Sequence, residues 1–368
     1  KALSKADYEH KRYDKVNKAL SQDERKAGIT MGMMNPIMTF LMNFGIVAVI
    51  ALSANRIANH QSDPETVIAF MQYFTLISMA MMTVTRIFVM YSKSAASAGR
   101  IMEVIETEED LSVCTKDACP DIDDGNHIVF DNVSFSYNKK QNDVENISFK
   151  IKKGGSLGII GATGSGKSTI IKLLMRFYDT SAGDIFINGE NIKTIENDKL
   201  HSMFGVALQN DFLYSDTIKE NILFGREATD DEIKRATLVA QAEEFITAFP
   251  DGYEHILAQK GTNISGGQKQ RLLIARAVLN EPEILILDDS SSALDYKTDA
   301  ALRKAVFSEM TDSTVIIVAQ RVSSVMQCNK ILVIDEGKTV ALGTHDELMD
   351  SCDIYREISE SQMGGEVE

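Results

Sequence analysis

The sequence predicts an all-α helical hairpin long enough to cross a membrane, followed by an α/β domain on a largely parallel sheet. Three observations carry this. Two uncharged stretches, 28–55 and 66–85, follow one another. From His127 onward, short β-branched runs such as IVFDNVSFSY and SLGIIG alternate with helical stretches, the pattern of an α/β sheet. One of those strands runs into the glycine-rich loop GATGSGKST, residues 161–169, a phosphate-binding pattern.

Residues 1–27 are densely charged. Asp7 with Lys11, and Asp14 with Lys18, place acid before base at a spacing that supports a solvated helix. Each uncharged stretch is long enough to cross a hydrocarbon layer of ~30 Å as a helix. The connection, Arg56 to Pro64, holds one Lys or Arg, whereas Lys11, Arg12, Lys15, Lys18, Arg25 and Lys26 precede the first span and Arg86, Lys93 and Arg100 follow the second. The positive-inside rule therefore puts both flanks in the cytoplasm. Eleven of the 17 methionines lie between Met31 and Met102, which fits helix packing, with an adaptable cargo-contacting surface as the alternative. Residues 92–106 continue the second helix into the cytoplasm, and the acidic segment 107–126 suits a linker. The expected organisation is a membrane part over 1–106, a linker over 107–126 and the α/β domain over 127–368. The first residue is Lys, and the expectation is a sequence that starts within a longer protein.

The net charge is −15 and there is no block of Lys and Arg, so the reading excludes a nucleic-acid partner. Four cysteines, at 114, 119, 328 and 352, read as free thiols in a reducing compartment. Cys114 and Cys119 lack the second Cys/His pair that a four-ligand metal site requires.

Gly161, Gly166, Lys167 and Ser168 fit G-x-x-x-x-G-K-[ST], with Thr163, Gly164, Ser165 and Thr169 as the other ATP-binding positions of the loop. Glycines let backbone N–H groups turn inward around phosphate oxygens, and the following helix directs its positive end at the same anion. Lys167 is expected on the β- and γ-phosphates and Ser168 on Mg²⁺. The second motif, ILILDDSSSALD at 284–295, is an apolar strand ending in Asp288, a magnesium-binding carboxylate, followed by Asp289, a base for the attacking water.

The third motif is NISGGQKQR, residues 263–271, followed by LLIARAVL. It resembles the signature of ATP-binding cassette proteins of the membrane-transporter type. The resemblance implies that Ser265, Gly266, Gly267 and Gln268 contact ATP held by an opposite cassette. Tyr137 resembles the aromatic that stacks on adenine. Gln209 resembles the glutamine that touches Mg²⁺ and links the site to the membrane helices. Ser292, Ala293, Leu294 and Asp295 resemble the loop that crosses the dimer interface, and FLYSDTIKENILFG, 212–225, resembles exporter cassettes. Residues before the cassette look like the fifth and sixth membrane helices of a six-helix exporter half. ATP and Mg²⁺ are then the implied cofactors. The implied partners are a second exporter half, membrane lipid and a transported small molecule.

Three positions depart from the family pattern. Asp289 stands where the family has a catalytic Glu, Gln320 where it has His, and Gln259 where a Glu precedes the signature. Asp is one methylene shorter than Glu, and a misplacement of about 1 Å costs on the order of 100-fold in rate. Gln hydrogen-bonds a phosphate but carries no positive charge and relays no proton. The expectation is the degenerate half of a heterodimeric multidrug exporter. The alternatives are a homodimer exporting lipid or peptide that tolerates Asp, and a soluble cassette ATPase.

Overall fold

The computed structural model describes residues 5–59, 63–107, 111–117, 119–122, 125–208, 211–290 and 293–363. The chain divides into two compact units, Lys1–Glu108 and Glu109–Glu368.

The first unit holds two helices, α1 (Ala6–Ala58) and α2 (Pro64–Ile105). The charged start and the first uncharged stretch form one helix of 53 residues, about 80 Å at 1.5 Å per residue. Pro64 sits in the first turn of α2, where its missing N–H is one that no helix pairs. The two helices touch where Gly45 admits Phe74: a Cβ on Gly45 would stand 2.8 Å from the ring. Segments Pro36–Ala58 and Pro64–Ile105 are long and apolar enough to cross a membrane, with mean hydropathy 2.2 and 1.7. Phe40, Phe44, Met79 and Phe88 are each more than half exposed. Such a surface suits lipid or further helices rather than water.

The second unit is built on one ten-stranded mixed sheet. Its strands are β1 (Ile128–Phe135), β2 (Val144–Ile151), β3 (Ser156–Ile160), β4 (Ala182–Ile187) and β5 (Glu190–Asn191), then β6 (Phe204–Ala207), β7 (Ile284–Asp288), β8 (Thr314–Ala319), β9 (Lys330–Asp335) and β10 (Lys338–Gly343). The order across the sheet is β5-β4-β1-β2-β10-β9-β3-β8-β7-β6. Strands β9, β3, β8, β7 and β6 are parallel neighbours, as the sequence predicts. The remaining half is largely antiparallel, which the sequence reading misses. The cause is connection length. A parallel crossover needs a dozen or more residues, whereas β9 turns into β10 through Glu336 and Gly337 alone, both at positive φ, the two-residue hairpin geometry.

The parallel half is apolar on both faces, so its strands read as unbroken runs. In β7, Leu285 and Leu287 pack with Leu272 and Leu273, while Ile284 and Ile286 pack with Leu157 and Ile159 on the other side. Residues of the expected linker run along the β4–β5 edge. Cys114 N–H donates to the Lys193 carbonyl, Ile122 N–H donates to that of Gly189, and the buried Arg176 guanidinium holds the Ser112 carbonyl at 2.7 Å. The four cysteines are free, and burial pushes the Cys328 thiol up to about 12, an unreactive thiol.

Candidate functional site

Strands β3, β8 and β7 lie side by side and parallel, with Ile160 opposite Ala319 and Asp288 opposite Val318. The loops that leave these three strands therefore emerge at one edge of the sheet, where open α/β sheets bind ligands. There a cleft of about 200 Å³ is lined by Thr163, Gly164, Gly166, Lys167, Ser168 and Thr169 after β3, by Asp288 and Asp289 at the end of β7, and by Gln320 after β8. Residues about 120 and 150 positions apart in sequence are brought together by strand adjacency alone.

The phosphate loop is open where a ligand must approach. Gly164 and Gly166 have φ of +83° and +101°, and among the described residues nothing lies within 4 Å of the position of a Cβ on Gly164. Gly166 precedes the first residue of helix α3 (Lys167–Leu174). Among the described residues the Ser165 hydroxyl is buried without a hydrogen-bond partner, an orphan that buried polar groups rarely remain. Lys167 is buried, and its Nζ donates to the carbonyls of Gly161 and Ala162 at 2.8 and 2.7 Å. Burial lowers its pKa, opposed by Asp288 and Asp289. Ser168 Oγ donates to Asp288 Oδ2 at 3.2 Å. Burial raises the Asp288 pKa, Asp289 adds to the rise, and the Ser168 bond opposes it. An open glycine cradle, an orphaned hydroxyl and a buried ammonium fit a phosphate chain. The Ser168–Asp288 oxygen pair fits a hard divalent cation.

Two of the three departures from the family pattern touch each other. Gln320 Nε2 donates to Asp289 Oδ2 at 3.2 Å. Asp289 has φ +48°, a conformation that Asp tolerates better than most residues, and its N–H donates to the Val318 carbonyl. Tyr137 is 43% exposed. Its hydroxyl donates to Thr169 Oγ1 at 3.4 Å, and its N–H donates to Asp143 at 2.8 Å, which sets the ring beside the loop helix. Asp143 also lines the cleft; sequence reasoning misses it because no motif surrounds it.

The signature residues do not line this cleft. Ser265 N-caps the helix Gly266–Val278 in a capping box: its Oγ accepts from Gln268 N–H at 3.2 Å, and Gln268 Oε1 accepts from Ser265 N–H at 2.9 Å. Ser265 and Gly266 are exposed. Ala293 and Leu294 pack against Gly267, and Asp295 caps the helix Tyr296–Glu309 by accepting from Thr298 N–H. The helix start at 265–267 and residues 293–294 thus lie side by side. Gln259 is exposed in a short 3₁₀ turn, Gln259–Gly261. Gln209 and Ser292 lie outside the described residues.

Comparison with known proteins agrees with this arrangement. The family profile "ABC transporter" matches residues 144–292, and the profile "ABC transporter transmembrane region" matches residues 1–81. The chain belongs to the ABC transporters. It is 37% identical, over its whole length, to the uncharacterized ABC transporter ATP-binding protein YfiB of Bacillus subtilis, and spans 63% of that relative. Over 233 residues it is 42% identical to the putative multidrug export ATP-binding/permease protein YgaD of the same organism, covering 63% of this chain and 40% of that one. A solved bacterial Atm1-family ABC exporter with ATP bound superposes with a TM-score of 0.87 at 26% identity, over all of this chain and 64% of that one. The fold is therefore a helical transmembrane region followed by a P-loop ABC cassette on a mixed sheet, in a membrane protein whose cassette faces the cytoplasm.

Proposed function

We propose that this protein is an ATP-driven exporter half whose own site binds MgATP but turns it over slowly, and whose signature completes the faster site of a second, different half. The observation that carries the reading is the contact between Gln320 and Asp289. An amide that cannot accept a proton occupies one oxygen of the carboxylate expected to activate water. The binding cradle beside it keeps every residue type that phosphate binding needs.

When bound, MgATP supplies the phosphoryl group that passes to water. Lys167 would give up its two carbonyl partners for phosphate oxygens. Ser168 and Asp288 would hold the cation, with Gln209 as a third ligand by family resemblance. Tyr137 offers a ring face for adenine, and Asp289 orients water less well than Glu. Ser265 to Gln268, with Ala293 to Asp295, face the partner half. The relative named as a multidrug export protein favours drugs or other amphipathic compounds as cargo.

The test is steady-state ATPase of the chain co-purified with its partner half. Asp289→Asn is expected to change turnover modestly, because little hydrolysis depends on that carboxylate. Gly267→Asp is expected to lower turnover by roughly 100-fold or more, since it sets a negative charge where a partner-held phosphate belongs. The reverse result, with Asp289→Asn inactive and Gly267→Asp active, places the main hydrolytic site in this chain and ends the degenerate-half reading.

A further inference from the structure

Away from the cleft, one side chain grips the backbone that carries Gln320. Gln362 belongs to the C-terminal helix Asp353–Met363. Its Nε2 donates to the Gln320 carbonyl at 2.8 Å, and its Oε1 accepts from the Val322 N–H at 2.8 Å. Val322 opens the short helix Val322–Val325, so its N–H is one that a helix start leaves unpaired. A glutamine amide offers one donor group and one acceptor, and both are used on this loop. On the other side, Arg303 donates to the Ser323 carbonyl. Residues 320–323 are thus held from two directions, and the Gln320 side chain ends on Asp289.

The helix behind Gln362 is firmly seated. Tyr355 is fully buried with its hydroxyl 2.8 Å from His345 Nδ1, and Ser359 is buried on the same helix. Gln362 itself is exposed, so its substitution removes two hydrogen bonds without opening a cavity.

We propose that Gln362 is a positioning residue for Gln320: through the loop backbone, the C-terminal helix sets where the position-320 side chain stands against Asp289, and so sets hydrolysis at this chain's own site. This rests on the reading of that site as a slow ATPase site. The bond runs through the backbone, so it acts on whatever residue occupies position 320. Loss of such a contact frees the loop to shift, and a misplacement of about 1 Å costs on the order of 100-fold in rate. Nucleotide affinity stays unchanged, because Gln362 makes no bond to the phosphate loop.

The experiment uses the full chain co-purified with its partner half. Asp289→Glu with Gln320→His is expected to raise ATP turnover several-fold. Adding Gln362→Met is expected to remove most of that gain while KM for ATP stays fixed. Gln362→Glu keeps the acceptor for Val322 but loses the donor to the Gln320 carbonyl, and regains it when the carboxyl is protonated. Position 362 is exposed, and an ordinary Glu titrates at about 4.3, so at neutral pH its turnover is expected to fall toward that of Gln362→Met. If the Glu/His repair gives no gain, the slow-site reading fails on its own account; Gln362→Met is then compared in the unrepaired chain, where a fall in turnover at fixed KM still supports the positioning role. Equal turnover with and without Gln362→Met in both backgrounds, or Gln362→Glu turning over at neutral pH as fast as its Gln362 parent, overturns it.

Discussion

The phosphate-loop cleft and the signature edge belong to one cassette but are built in opposite ways. The cleft draws on three adjacent parallel strands, buries Lys167 and Asp288, and leaves the Ser165 hydroxyl without a partner among the described residues. The signature edge is a single helix start, with Ser265 and Gly266 exposed and its capping box satisfied within four residues. The first region keeps a buried hydroxyl and a buried ammonium aimed where a ligand can use them. The second closes its cap within the chain and leaves an exposed helix start, whose first N–H groups have no intrahelical acceptor, to something outside it. The difference fits the two roles proposed above, holding nucleotide on one side and presenting a surface to another subunit's nucleotide on the other.

The largest effect that would sharpen this contrast belongs to Lys167. Removing one partner of a buried, hydrogen-bonded charge pair costs about 2–5 kcal/mol, a fall in affinity of roughly 30- to 5,000-fold. Lys167→Ala is accordingly expected to lose nucleotide binding at this chain's own loop, measured with a fluorescent ATP analogue on the full chain in detergent. Unchanged affinity would break the comparison at its stronger end, because the cleft would no longer be the nucleotide-holding region.

Ser265→Ala comes next. It leaves Gln268 N–H without its capping acceptor, which costs about 1 kcal/mol, or a midpoint shift of about 2–4 °C in a domain of this size. If the edge also serves a partner's nucleotide, ATPase of the pair falls far more than that loss of stability explains. Ser265→Thr keeps the cap and is expected to restore the melting midpoint. A drop in activity that merely tracks the melting shift would reduce the signature to a helix cap.

Legibility in the sequence depends on how local each feature is. The phosphate loop is legible because its glycines, Lys167 and Ser168 are consecutive and their chemistry depends on backbone shape. Strand β7 is legible because a strand buried on both faces must be apolar throughout, as ILIL is. The capping box of Ser265 and Gln268 is likewise a three-residue spacing. The antiparallel half is not legible, because the β9–β10 turn is Glu-Gly rather than the Asn-Gly or Asp-Gly that marks a hairpin. The Gln320–Asp289 bond depends on β8 lying beside β7, which sequence order does not state. Gln362 lies 42 residues from the loop it holds and carries no motif at all.

The smallest structural effect gives the sharpest separation of the two roles. A Cβ added at Gly266 would meet nothing nearer than Ala293 Cβ at 3.9 Å, an ordinary contact, whereas one at Gly267 would lie 3.2 Å from the Ala293 carbonyl oxygen. Neither glycine has positive φ, so neither is required by backbone shape. Replacing Gly266 by Ala reduces unfolded-chain freedom and favours helix, a gain of up to about 1 kcal/mol. Judged by this chain alone, Gly266→Ala is neutral or slightly stabilising, and its melting midpoint is expected to hold or rise by a few degrees. If the exposed face of Gly266 exists so that another subunit's phosphate can approach the backbone, the same methyl lowers ATPase of the assembled pair. Nucleotide binding at this chain's own loop is untouched, because Gly266 does not line that cleft. A variant that is as stable as wild type, binds nucleotide equally and hydrolyses poorly only in the pair assigns the glycine to the partner's site. Full turnover in that variant would mean that the signature surface does not approach nucleotide closely, and the two regions would no longer differ in the way their geometry suggests.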